Sequence, residues 1–270
     1  MMKIKINSLK PALYLLLCVF LSEIQTSDKP NLIETKVDNP KSVLLVGNSF
    51  MYYNNGVHKP LLGMIKAEES LGKGHRLRSI TINGSSLEWH DVESYVTNPN
   101  IGSFSITSKN KYKNYKTKGF DLAILMDCSQ CPIHPDRQEL FNFYADKHVT
   151  TLKDNGVEPT FMMTWAYEDE PQMMQGLESG YTKAGNRNNA LVLPVGLAFQ
   201  ASVLAYPDIK LYTKDKRHPS REGTYLMAAV MFSAIYRVSP IGNEYDYGLA
   251  PEVTKRLQKI ALLSLDYYKN

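Results

Sequence analysis

Four short apolar segments punctuate the chain, at residues 43–46, 77–82, 121–126 and 160–165, each ended by glycine or polar residues. The first, Val-Leu-Leu-Val, is continuous rather than alternating, which predicts a strand covered on both faces, as in a parallel sheet. Helical spacing fills the intervals. Val57, Leu61, Ile65 and Leu71 mark one amphipathic stretch, and Leu140, Phe141, Tyr144, His148 and Leu152 mark another at steps of three and four. Near the C-terminus residues 223–236, almost all apolar, predict a buried helix, and residues 252–268 predict a further one. Strands alternating with helices imply a right-handed β-α-β arrangement with helices on both sides of a mostly parallel sheet. Two polar stretches break the alternation. Residues 101–119, rich in Lys, Asn and Ser, and residues 168–189 read as surface excursions; the second follows a strand's carboxyl end, where open α/β sheets bind ligands, and reads as a substrate lid.

The N-terminus differs in kind. Lys3, Lys5 and Lys10 precede an apolar run at residues 12–21 and a polar stretch at 22–28, the layout of a secretory signal peptide. About ten apolar residues are too few to span a ~30 Å hydrocarbon core comfortably, so a permanent membrane span is not expected. The chain therefore divides into a signal peptide at 1–27, a leader at 28–41 and one domain at 42–270, placed in the periplasm or secreted. Composition fits a globular domain, with 43% hydrophobic and 21% charged residues. A net charge of +4 from 31 basic and 27 acidic residues is too balanced for a nucleic-acid binder, so no nucleic-acid partner is expected.

Removal of the signal peptide takes Cys18 with it and leaves Cys128 and Cys131. Their C-x-x-C spacing admits a disulfide, half of a metal site or two reduced thiols. A zinc site wants a second ligand pair, and none with that spacing occurs, so no metal is expected; export favours the bridge.

Candidate chemistry begins where the first strand ends. Gly47-Asn48-Ser49-Phe50 places a hydroxyl at the carboxyl end of a parallel strand, although Gly-Asn-Ser is also ordinary turn composition. Met51 excludes the G-x-S-x-G elbow. A serine hydroxyl is a weak nucleophile until a base takes its proton, and that base is usually a histidine oriented by a carboxylate. Asp215-Lys216-Arg217-His218-Pro219-Ser220 supplies acid and base in one polar loop ahead of an apolar helix.

Together the two motifs resemble the SGNH/GDSL hydrolase family: residues 47–50 look like its first block and D-x-x-H-P-S, at 215–220, like its last. The resemblance covers roughly residues 42–236. It implies a three-layer α/β/α sandwich with a flavodoxin-like sheet, and a serine esterase needing no cofactor. By it Ser49 is the nucleophile, His218 the general base and Asp215 the residue that orients the imidazole. The oxyanion hole would be built from the Ser49 N–H, from Gly84 in Ile82-Asn83-Gly84-Ser85-Ser86, and from a third donor. Here the chain departs from the pattern. The family's G-x-N-D is replaced by Cys128-Ser129-Gln130-Cys131, so Gln130 takes the Asn place on a stem one methylene longer.

Trp89, Trp165 and Tyr167 follow strand ends, and their faces suit a sugar ring. Trp165 and Tyr167 are the candidate substrate-binding pair, whereas Trp89 reads as packing. Export joined to the resemblance makes an acetylated carbohydrate the expected substrate and a small-molecule or glycan ester the expected partner. The alternatives are a glycan-binding module that has lost turnover, and an exported lipase or thioesterase.

Overall fold

The structure, a computed structural model, describes residues 29–98, 104–106, 112–114 and 119–270. The expected signal peptide, together with most of the 101–119 stretch, lies outside the described residues. Strands β1 (Ser42–Gly47), β2 (Arg76–Thr81), β5 (Leu122–Leu125), β6 (Glu158–Met162) and β7 (Leu191–Leu193) form one sheet in the order β2-β1-β5-β6-β7. Every neighbouring pair in it is parallel. A separate antiparallel pair joins β3 (Phe104–Ile106) and β4 (Tyr112–Asn114).

The interior position of β1 and β5 explains their composition. Val43, lying between Leu77 and Leu122 in register, has water on neither face, and every residue of β1 and β5 is buried. Strand β7 escapes the sequence pattern because it is only three residues long, tucked between Asn189 in the left-handed region and Pro194.

The helices are α1 (Ser49–Tyr52), α2 (His58–Ala67), α3 (Val92–Thr97), α4 (Gln138–Asp154), α5 (Met173–Asn188), α6 (Val195–Ala205), α7 (Arg221–Tyr236) and α8 (Pro251–Lys269). Helix α7 packs against α2 and α8, while α4 packs against α3 and α5, so the sheet lies between two helical layers. The polar stretch at 168–189 is therefore not a surface excursion. Met173, Met174, Leu177, Tyr181 and Ala184 recur at helical spacing among polar neighbours and are buried as one face of α5. Helix α6 was hidden for the opposite reason, since it is apolar all round and carries no period. Among the described residues no helix is long and apolar enough to cross a membrane.

The strand order reverses direction between β1 and β5. At such a switch point the loops leaving the carboxyl ends diverge and leave a crevice, the common ligand position in open α/β sheets.

Candidate active site

Asn48 organises this crevice. It caps the short helix α1, its Oδ1 accepting the Phe50 N–H at 3.1 Å. Its Nδ2 donates to the carbonyls of Ser85 (2.9 Å) and Asp127 (3.3 Å), pulling the loops after β2 and β5 onto the end of β1. Ser49 opens α1, where the first amides have no partner within the helix. Its side chain faces the loop that precedes α7.

In that loop Asp215 acts as a local template. Oδ1 accepts from the backbone N–H of Arg217 (2.9 Å) and His218 (3.0 Å) and from Thr213 Oγ1 (2.7 Å), while Oδ2 lies 2.5 Å from His218 Nδ1. Partial burial alone would raise the Asp215 pKa, but these hydrogen bonds, led by that from His218, outweigh it and hold the carboxyl well below the usual range. An ionised carboxylate has no proton to give, so Nδ1 carries the hydrogen. Nε2 is then free to accept from Ser49 Oγ, 2.8 Å away. Ser49, His218 and Asp215 thus form one hydrogen-bonded line across 169 residues of sequence.

Aromatic rings hold the imidazole. Tyr53 stacks on His218 with centroids 4.1 Å apart, and Phe50 meets it edge-on at 5.3 Å. Asn54 is the clamp. Adopting φ +57°, it brings Nδ2 within 2.9 Å of the carbonyls of Pro219 and Ser220 and 2.8 Å from Thr224 Oγ1, joining the segment after Ser49 to the segment after His218. Ser220 caps α7 by accepting from Gly223 N–H. Gly223 is required there, because a Cβ would sit 2.5 Å from the Leu211 carbonyl. Asn48, Tyr53 and Asn54 were not singled out from sequence. Asn54-Asn55-Gly56 reads as a plain turn, and the only signal was the readiness of Asn for positive φ.

Gly84 lies at φ +66° in the turn closed by Ser85 N–H to the Ile82 carbonyl (3.2 Å), a conformation that favours glycine. Gln130 is less committed. Its Nε2 points at Met173 Sδ, 4.0 Å away and a weak acceptor, rather than at Ser49. Cys128 and Cys131 are joined by a disulfide that closes this loop. Together with Asp127 they bring three potential metal-ligand atoms within 4.8 Å, but bridged sulfurs are not thiolate ligands. Asp127 is buried and its carboxyl is pushed up to about 6 by that burial, against hydrogen bonds from Cys128 N–H (2.6 Å) and Leu87 N–H (3.0 Å), both to Oδ1.

The aromatic assignments are corrected. Trp165 has 0% exposure, sandwiched at 4.3 Å between Phe50 and Phe199, and its Nε1 donates to the Arg217 carbonyl at 2.9 Å. It supports the His218 loop and offers no face to a ligand. Tyr167 is also buried, covered by the Arg217 guanidinium and hydrogen-bonded to Ser129 at 2.7 Å. Trp89, expected to pack, is 58% exposed instead.

No family model and no curated protein matches the chain by sequence. Solved structures do match by shape, among them a protein from Slackia heliotrinireducens assigned to the SGNH hydrolases, with 19% identity, TM-score 0.52 and coverage of 71% of this chain and 97% of that one. The fold is that of the SGNH hydrolases. A second match is a DUF4886 family protein from Bacteroides uniformis, at 18% identity, TM-score 0.59, 84% of this chain and 95% of that one. A third is a catalytic mutant of an acetylxylan esterase from Geobacillus stearothermophilus, at 14% identity, TM-score 0.52, 74% of this chain and 96% of that one. On this fold residues 47–50 form the junction of β1 and α1, while 82–86, 128–131 and 215–220 lie in loops following β2, following β5 and preceding α7.

Proposed function

We propose that the chain is a serine esterase that works through an acyl-enzyme and removes acetyl groups from a carbohydrate outside the cytoplasm. The observation that carries the chemistry is the continuous hydrogen-bond line from Ser49 Oγ through His218 to Asp215. Ser49 Oγ bonds to the ester carbonyl carbon as His218 Nε2 takes its proton, and the carbonyl π electrons move onto oxygen. Ser49 N–H, Gly84 N–H and the Gln130 amide are the donors assigned to that oxyanion; loss of one such donor raises a barrier by roughly 2.7–4 kcal/mol. Collapse expels the alcohol, which receives the proton from His218. Water, deprotonated by the same nitrogen, then releases the acid and regenerates Ser49.

Carbohydrate as the leaving group is supported by the acetylxylan esterase among the structures of like fold, and the extracytoplasmic setting by the charged, apolar and polar succession at residues 1–28. The test is hydrolysis of acetylated sugars, small acetates and long-chain esters by the purified protein and by Ser49→Ala and His218→Ala. Each variant is expected to lose at least about a thousandfold in kcat with circular dichroism unchanged, as members of one catalytic unit do. Near-normal turnover by Ser49→Ala would overturn the mechanism. A preference for long acyl chains would overturn the acetyl assignment.

A further inference from the structure

The loops that carry Gly84 and Gln130 also shape a groove whose other residues the acyl chemistry leaves unused. This groove of about 240 Å3 is lined by Gly84, Trp89, Ser129, Gln130, His134 and Arg137. Asn48 fixes its place: it is bonded to Ser85 and Asp127, the immediate neighbours of Gly84 and Cys128, and it directly precedes Ser49. The groove therefore opens on the two loops that Asn48 draws to the end of β1, which carry Gly84 and Gln130, two of the donors assigned to the oxyanion. We propose that it binds the sugar ring of the ester, with the Trp89 indole as the stacking platform; this rests on the esterase reading above and assigns its leaving-group subsite.

The indole is exposed, yet its backbone is not free to fold it away. Leu87 N–H is held by Asp127 Oδ1 at 3.0 Å, Leu87 O lies 2.9 Å from His148 Nε2, and Trp89 N–H is held by Ser86 O at 3.1 Å. A rigid turn that keeps a large apolar face in water is matched by a ligand with one apolar face. A pyranose has that face in its axial C–H groups, and a rim of hydroxyls to meet the Gln130 amide, the His134 ring and Arg137. Arg137 already pairs with Glu88 at 3.3 Å, but the Gln130 amide has only the weak acceptor Met173 Sδ, and an acyl chain would offer it no partner. The volume lies below the roughly 300–1,000 Å3 of sites for drug-sized ligands, which suits a single ring.

Methyl 6-O-acetyl-glucopyranoside, which keeps its ring hydroxyls, and ethyl acetate share the acetyl group, differ in the alcohol and are the probes. Trp89→Ala is expected to lower kcat/KM on methyl 6-O-acetyl-glucopyranoside about tenfold more than on ethyl acetate, chiefly through KM, and Trp89→Phe to recover most of the difference. Binding is read separately in Ser49→Ala. Trp89 and the buried Trp165 are the only tryptophans, so acrylamide quenching reports Trp89. Methyl 6-O-acetyl-glucopyranoside should shield it, and should shield nothing once Trp89→Phe is added. Shielding without ester hydrolysis by the parent protein would keep the groove and overturn the esterase. Hydrolysis with no shielding and an equal loss on both esters would overturn the groove and keep the esterase.

Discussion

At Asp215 charge and geometry can be separated. Oδ1 organises the loop by accepting from Arg217, His218 and Thr213, whereas Oδ2 faces the imidazole. Asp215→Asn retains an oxygen for the first task and loses the charge that stabilises an imidazolium. Its amide also presents N–H groups that cannot accept from Nδ1. A fall in kcat of about 10²- to 10⁴-fold with little change in melting temperature is therefore expected. Steady-state kinetics with a thermal melt checks it, and a loss of fold equal to the loss of rate would assign Asp215 a structural part only. Lysine and arginine elsewhere on the loop need no such role: Lys216 already pairs with Asp169, and Arg217 lies over Tyr167.

Between elements, two devices align the halves of the site. Asn54 clamps the loop before α7 to the segment after α1. Because its φ is +57°, glycine is the informative replacement, keeping the backbone and deleting the amide. Asn54→Gly leaves the Pro219 and Ser220 carbonyls short of a donor, at a cost of about 1–3 kcal/mol. The His218 loop should loosen with it, lowering kcat by about tenfold or more while KM moves less. Unchanged kcat in a destabilised variant would reduce Asn54 to a structural tie. The second device is the Cys128–Cys131 bridge. A ring this short removes little chain entropy, about 2 kcal/mol against ~3 kcal/mol for a 15-residue loop. Reduction, or a Cys128→Ser and Cys131→Ser pair, should shift the melting temperature by a few degrees and lower kcat far more if Gln130 donates to the oxyanion. Full activity after reduction, confirmed by thiol titration, would separate the bridge from catalysis.

For the molecule as a whole, Asp127 couples stability to pH. It sits where β5 meets the Leu87–Trp89 turn, and its N–H also reaches the Tyr181 hydroxyl of α5 at 3.3 Å. Burial holds its pKa at about 6, above the ordinary 3.8, so the folded state keeps a proton that the unfolded chain has already released. Stability from this group is complete below about pH 4 and is lost as pH rises through about 6. Asp127→Asn keeps an Oδ1 acceptor for both backbone amides and removes the titration. Relative to the parent it should gain up to roughly 3 kcal/mol between about pH 4 and pH 7. Denaturant unfolding at the two pH values checks this, and a parallel pH response in parent and variant would overturn it.

The parallel sheet was legible because interior strands must be apolar on both faces, and the short apolar runs within 43–46 and 121–126 fit that demand. Ser49, Asp215 and His218 were legible only through the joint resemblance of residues 47–50 and 215–220 to the SGNH/GDSL blocks, since either motif alone reads as turn or helix-cap composition. Periodicity, however, reports only what an element's own faces do. It could not see α5, whose buried stripe is diluted by polar residues, or α6, which has no polar face to define a stripe. Nor could it rank three aromatic residues that all follow strands. Trp165 is buried because Phe50 and Phe199, 115 residues before and 34 after it, close on its two faces, and Trp89 is exposed because its turn is pinned from below by Asp127 and His148. Local sequence determines which residues can form a strand, a cap or a hydrogen bond. Which aromatic faces water, and which asparagine clamps the site, depends on partners brought together by the fold.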